Sequence, residues 1–168
     1  QSFLDKQVIS LNDKIYSLNF EEYFESLKEV FENEEILKWG YEQKIDYILL
    51  KQLKIEPKNI MFDIKIAGHL LNSHSNQYSL KELSLQYLEL DLDEFLDAEK
   101  EQGEQTSLFD EPKEDAKSIE NEVYSYIISK FHLKLKGELE KINNLKLFNE
   151  IEMPLVEVLA EMQYVCVY

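Results

Sequence analysis

The sequence predicts a mixed α/β domain, a sheet with helices packed on its faces, and three observations predict it. Short β-prone runs alternate with stretches whose apolar residues recur at helical spacing, in the order β-β-α-β-α-β-α-α. The length, 168 residues, is that of one ordinary domain, enough to bury roughly two-thirds of the surface its unfolded chain exposes. The composition is globular, 44% hydrophobic and 31% charged, and no apolar run approaches the roughly 18 residues that cross a bilayer.

The elements follow in order. Residues 8–11 and 14–18 are β-prone and flank Asn12-Asp13, which reads as a hairpin. Asn19 is placed to cap the next helix, with Glu22 at the capping-box position. Phe20, Phe24, Leu27, Val30 and Phe31 then give an amphipathic helix over about 20–33. Residues 36–39 form a short apolar run, read as a buried strand that Gly40 ends. Ile45, Ile48, Leu49 and Leu53 mark a second helix, and residues 60–62 a further strand. Asp63 caps a helix over 64–71. Ser79 with Glu82 is a second capping box, opening a helix through Leu80, Leu83 and Tyr87. A short helix is expected around 92–96 and a solvated loop over 99–105. A long helix runs from about Lys113 to Gly137, another covers 138–145, and the last covers about 147–164, with Pro154 removing one backbone donor. In that last helix Phe148, Ile151, Leu155, Val158, Leu159 and Met162 are expected to pack on the domain's own helices.

The charge narrows the functions. Eighteen lysines stand against 34 acids, net −16, and there is no arginine. The bidentate fork used for phosphate and guanine recognition is therefore missing, and a strongly acidic domain repels a polyphosphate. Residues 89–115 hold 12 acids and two lysines, net −10, which leaves −6 for the rest. The single cysteine, Cys166, excludes an internal disulfide and a thiolate zinc site. No basic segment followed by an apolar one opens the chain, so a cytoplasmic protein is expected. Gln1 is not an initiator methionine, consistent with a piece of something longer.

Conventional catalytic motifs are missing. Four glycines make no phosphate loop, no serine sits in a G-x-S-x-G turn, and His69, His74 and His132 have no metal-ligand spacing. Carboxylates remain. Asp46, opening a helix just after a short strand, has the best setting for a metal ligand; the plain alternative is that it complements the helix dipole. Glu120 and Glu122 lie early in the long helix, where solvation is the plain alternative.

Two stretches are more specific. Residues 61–72, MFDIKIAGHLLN, followed by 78–88, YSLKELSLQYL, resemble the FDT-x-L-A-x-Y-L-L-N … H-S-L-x-x-L-A-x-x-Y-L segment of the proofreading domains of bacterial family A DNA polymerases. Residues 147–162, LFNEIEMPLVEVLAEM, resemble the L-F-x-x-I-E-M-P-L-V-x-V-L-A-x-M segment that joins those domains to the polymerase thumb. The resemblance covers essentially the whole chain. It implies an RNase H-like mixed sheet flanked by helices, of the DEDD exonuclease type, with the first strand missing from this chain. It divides the chain into residues 1–146, an RNase H-like 3′–5′ exonuclease-type domain with an acidic loop at about 97–112, and residues 147–168, a helix leading to the thumb.

In that family four acids hold two divalent metals and a tyrosine orients the attacking water. The D-x-E motif of the first strand has only Asp5-Lys6-Gln7 as a poor substitute here. In the second motif Glu42 stands for asparagine and Asp46 is retained. In the third, Ala116 stands for tyrosine and Glu120 for aspartate; a register using Asp115 puts Glu111 at the tyrosine position and is no better. The resemblance therefore implies a degenerate domain, inactive as a 3′–5′ exonuclease, with Glu42, Asp46, Ala116 and Glu120 as vestigial positions. It needs no cofactor of its own, while the parent DNA-directed DNA polymerase, a nucleotidyltransferase of bacterial DNA replication and repair, uses Mg²⁺. The role left is a structural platform beside the polymerase domain, with DNA met through the parent protein and no membrane partner. One rival is an active DEDD exonuclease with its D-x-E upstream of residue 1 and metal at Asp46 and Glu120. Another is a protein-interaction domain acting through the acidic segment. The apolar end, residues 164–168, is expected to bury itself against a second copy, giving a homodimer, or against the sheet edge.

Overall fold

The computed structural model describes residues 7–11, 14–75, 77–97 and 116–166. The predicted loop over 99–105 and the acidic tract beyond Asp97 lie outside these residues, as do Asp5, Lys6, Asp115 and residues 167–168.

The hairpin is as expected. β1 (Gln7–Leu11) and β2 (Lys14–Leu18) pair antiparallel, Leu11 opposite Lys14. Asn19 then caps a first turn, its Oδ1 accepting from the N–H of Glu21 (3.0 Å) and Glu22 (3.2 Å), and regular helix α1 (Phe24–Glu32) follows. β3 (Lys38–Gly40) pairs in parallel with β4 (Ile60–Asp63), the crossover between them being α2 (Gln43–Gln52). The α/β class and the mixed pairing stand, but among the described residues the strands form two separate two-stranded sheets. β3 is also less buried than its apolar run suggests: Leu37 and Trp39 are exposed, and Trp39 stacks on His132 at 4.5 Å.

Asp63 caps α3 (Ile64–Leu71) as predicted. The Ser79–Glu82 capping box is present and opens α4 (Leu80–Leu83), which widens into a π-turn over Ser84–Leu88. Residues 92–97 form α5. α6 (Ala116–Lys141) runs straight through Gly137, so the predicted break there is absent. Leu135 and Leu139, both fully buried, bracket the glycine, and their burial outweighs the roughly 1 kcal/mol that glycine costs in a helix interior. α7 (Leu145–Leu147) leads through a π-turn, Phe148–Glu152, into α8 (Met153–Cys166). The π-turn sits just before Pro154, which lacks the N–H of a regular i→i−4 bond.

Two cores result. The larger joins β4, α3, α4, α5 and α6 to Phe148 and Met153 through Phe62, Ile64, Leu83, Ile127, Phe131 and Leu135. The smaller joins the hairpin to α1 and α2 through Phe20, Leu27, Leu50 and Ile55. α8 lies against α2 and β4, but not on its expected stripe. Phe148 is fully buried, whereas Ile151, Leu155, Val158, Leu159 and Met162 face water, and the buried side is Met153, Val156 and Ala160. The polar anchor explains the choice: Tyr47 on α2 donates to Glu161 (2.9 Å), and Lys51 pairs with the same carboxylate (2.9 Å). No described helix is long and apolar enough to cross a membrane.

Candidate functional site

The carboxylates with most chemical potential gather where β3 and β4 end side by side. The parallel register sets Gly40 opposite Asp63, so the turn that leaves β3 meets the helix that leaves β4. Glu42 makes that turn in the left-handed region, φ 58° and ψ 43°, a conformation uncommon outside glycine. At Gly40 a Cβ would stand 3.2 Å from Cγ of Gln43, so the close approach of the turn favours glycine. Buried Gln43 ties the strand ends together when its amide donates to the carbonyl of Phe62 (2.9 Å) and accepts from the N–H of Gly40 (3.0 Å).

Asp63 is buried and committed to the backbone. Its Oδ2 accepts from the N–H of Gln43 (2.8 Å), and its Oδ1 from the N–H of Lys65 (2.9 Å) and Ile66 (3.2 Å). Burial raises its pKa, and the backbone bonds pull against that rise. Asp46, in the first turn of α2, leaves much of its surface open. Its carboxyl nevertheless stands in a crowded place: desolvation first, then the charges of Asp63 and Glu42, raise its pKa to about 6. Glu42 is ion-paired to Lys65. That bond raises the lysine's pKa, and the ammonium also lies 5.8 Å over the ring of Tyr41. The hydroxyl of Tyr41 donates to the carbonyl of Tyr78 (2.9 Å), tying this corner to the start of α4.

Of the positions singled out in the sequence, the structure thus brings Glu42 and Asp46 together. Glu120 accepts a hydrogen bond from Tyr124 one turn along α6 (2.6 Å), which pushes that phenol up to about 12. Ala116 is the first residue of α6. Sequence reasoning missed Lys65 altogether and saw Asp63 only as a cap. The one available signal was an aspartate at a strand end two residues before a lysine, too common to single out.

A pair of divalent cations about 4 Å apart needs several carboxylates aimed at one another. Here both oxygens of Asp63 take backbone N–H groups, and Glu42 faces the Lys65 ammonium, itself a competing cation. Asp46 is left to face the other two acids as a like charge. Among the described residues no three of His, Cys, Asp and Glu form a group that could hold a metal ion. The described residues do not fit such a pair.

Residues 6–95 match the family model of the DNA polymerase I, ribonuclease H-like domain. DNA polymerase I of Bacillus subtilis is 30% identical over 139 residues, 83% of this chain and 15% of that protein. DNA polymerase I of Mycobacterium tuberculosis is 30% identical over 107 residues, 63% of this chain and 11% of that protein. The chain thus spans less than a fifth of the length of these curated relatives. Among solved structures, the POL domain of Pol1 from M. smegmatis, in complex with DNA primer-template and dNTP, superposes with a TM-score of 0.73 at 16% identity. That match covers 94% of this chain and 24% of the other, and shows the shared fold.

Proposed function

Because the chain belongs to the family of ribonuclease H-like domains of DNA polymerase I, we propose that it is a non-nucleolytic domain of a longer bacterial DNA polymerase I, kept as a structural platform for the polymerase portion. The longer chain copies DNA with Mg²⁺ and deoxynucleotides in replication and repair, in the cytoplasm, and this domain meets DNA through that chain. The observation that carries the reading is the state of the carboxylates at the strand ends. Asp63 is spent on backbone N–H groups and Glu42 on Lys65, so Asp46 faces them alone. Ala116 in place of a tyrosine also removes the group that would orient water, and Glu120 accepts a hydrogen bond from Tyr124 on its own helix. The charge supports the same reading, since a chain of net −16 without arginine repels a frayed single strand.

Counting bound Mn²⁺ tests this. Electron paramagnetic resonance titration of the full-length protein and its Asp46→Ala variant is expected to find the same number of tight sites, all belonging to the polymerase portion. A site present in the parent and lost in the variant would restore the rival reading, a metal-dependent DEDD exonuclease.

A further inference from the structure

The last helix is joined to the domain at two places of different kind. Its base is apolar and fixed. Phe148 is fully buried, its ring 4.7 Å from that of Phe62, and Met153 enters the same core. Between Phe148 and Met153 lies the π-turn, and Pro154 just beyond it supplies no N–H. Such turns interrupt the regular hydrogen-bond ladder and are where helices bend.

Beyond the base the apolar hold is slight. Val156 and Ala160, both small, are the buried residues that follow Met153, and none of residues 161–165 is buried. One carboxylate holds the far half instead. Glu161 accepts from the Tyr47 hydroxyl (2.9 Å) and pairs with the Lys51 ammonium (2.9 Å), which also lies 5.8 Å from the centre of the Tyr164 ring. Lys51 has a second partner that does not belong to α8, Glu56 (2.6 Å). Releasing Glu161 therefore leaves the ammonium paired and strands no buried charge. We propose that α8 is a hinged arm, pivoting on the π-turn and latched against α2 through Glu161, so that the Tyr47–Glu161–Lys51 contacts set the direction in which the last helix leaves the domain. The device is the same whether or not the domain cuts DNA.

A latch of this kind weakens with salt, whereas an apolar seat does not. A 14-residue helix lifted from its seat is marginal in water and frays, so amide hydrogen exchange reads the opening. The test follows exchange by mass spectrometry in the full-length protein, at about 0.1 M and about 1 M sodium chloride, where charges are screened over about 10 and about 3 Å. Over residues 157–165 the unmodified protein is expected to exchange faster in the higher salt. Lys51→Met and Glu161→Gln are expected to speed exchange there roughly tenfold in the lower salt, the factor that about 1.4 kcal/mol represents, and to remove most of the salt response. Residues 145–153 and α6 keep their protection. Should either variant unfold the domain, Tyr47→Phe, which removes only a hydroxyl, decides by the same readings. Exchange over residues 157–165 that ignores salt in the unmodified protein, that the variants leave unchanged, or that rises equally over residues 145–153 overturns the proposal.

Discussion

Asp46 is the residue on which structure and sequence differ most usefully. As a first-turn acid it should favour α2 through the helix dipole by a few tenths of a kcal/mol. Its pKa near 6 reverses that expectation above neutrality. A carboxyl whose folded pKa lies above its unfolded value of 3.8 gives stability that is complete below pH 3.8 and lost as pH rises through about 6. At pH 8 the folded protein therefore holds an ionised Asp46 against Asp63 and Glu42 at a cost. Asp46→Asn is expected to raise the melting temperature at pH 8 and to leave it unchanged or slightly lower at pH 5. The rise is small, because water reaches Asp46 and screens the repulsion. Equal destabilisation at both pH values would show that the dipole term dominates. The capping residues were legible in the sequence because a cap is a local event: Asp63 reaches Lys65 and Ile66, and Ser79 reaches Glu82, all within three residues. The meeting of Asp46 with Asp63 was not legible, since parallel pairing of β3 and β4 brings together residues 17 apart in sequence.

At the scale of elements, local patterning found nearly every helix and strand and failed where two patterns compete. Gly137 reads as a stop, yet α6 carries it between two fully buried leucines. A Cβ added there would meet nothing within 4 Å, and the glycine does not use a positive φ. Gly137→Ala is therefore expected to stabilise the protein by about 0.5–1 kcal/mol, the entropy glycine wastes in a helix interior. Chemical denaturation reads this directly, and a loss of stability would mean that the straight passage through residue 137 is wrong. α8 failed for the opposite reason. Met153, Leu155, Val156, Val158, Leu159, Ala160 and Met162 place apolar groups nearly all round the helix, so periodicity alone could not choose its buried side. The choice is made by Tyr47 and Lys51 on α2, more than a hundred residues away in sequence, which hold Glu161.

Across the whole molecule, the acids at and beyond the strand ends are held by the protein's own contacts. Backbone N–H groups take Asp63, an ammonium takes Glu42, and Glu120 hydrogen-bonds along its own helix. The described residues form a folded body that presents the apolar face of α8 to water. The fold was legible because motifs in the middle and near the end of the chain, residues 61–88 and 147–162, keep their order and spacing. The state of the site was legible only in part, because substitution at Ala116 shows in the sequence while the pairing of Glu42 with Lys65 does not. The most direct measurement is nucleotide release from a 3′-mismatched, end-labelled primer by the full-length protein in Mg²⁺ and in Mn²⁺, without deoxynucleotides, beside its Asp46→Ala variant. The expected result is no shortening of the primer by either protein; stepwise loss of mononucleotides by the unmodified protein, abolished in the variant, would contradict it.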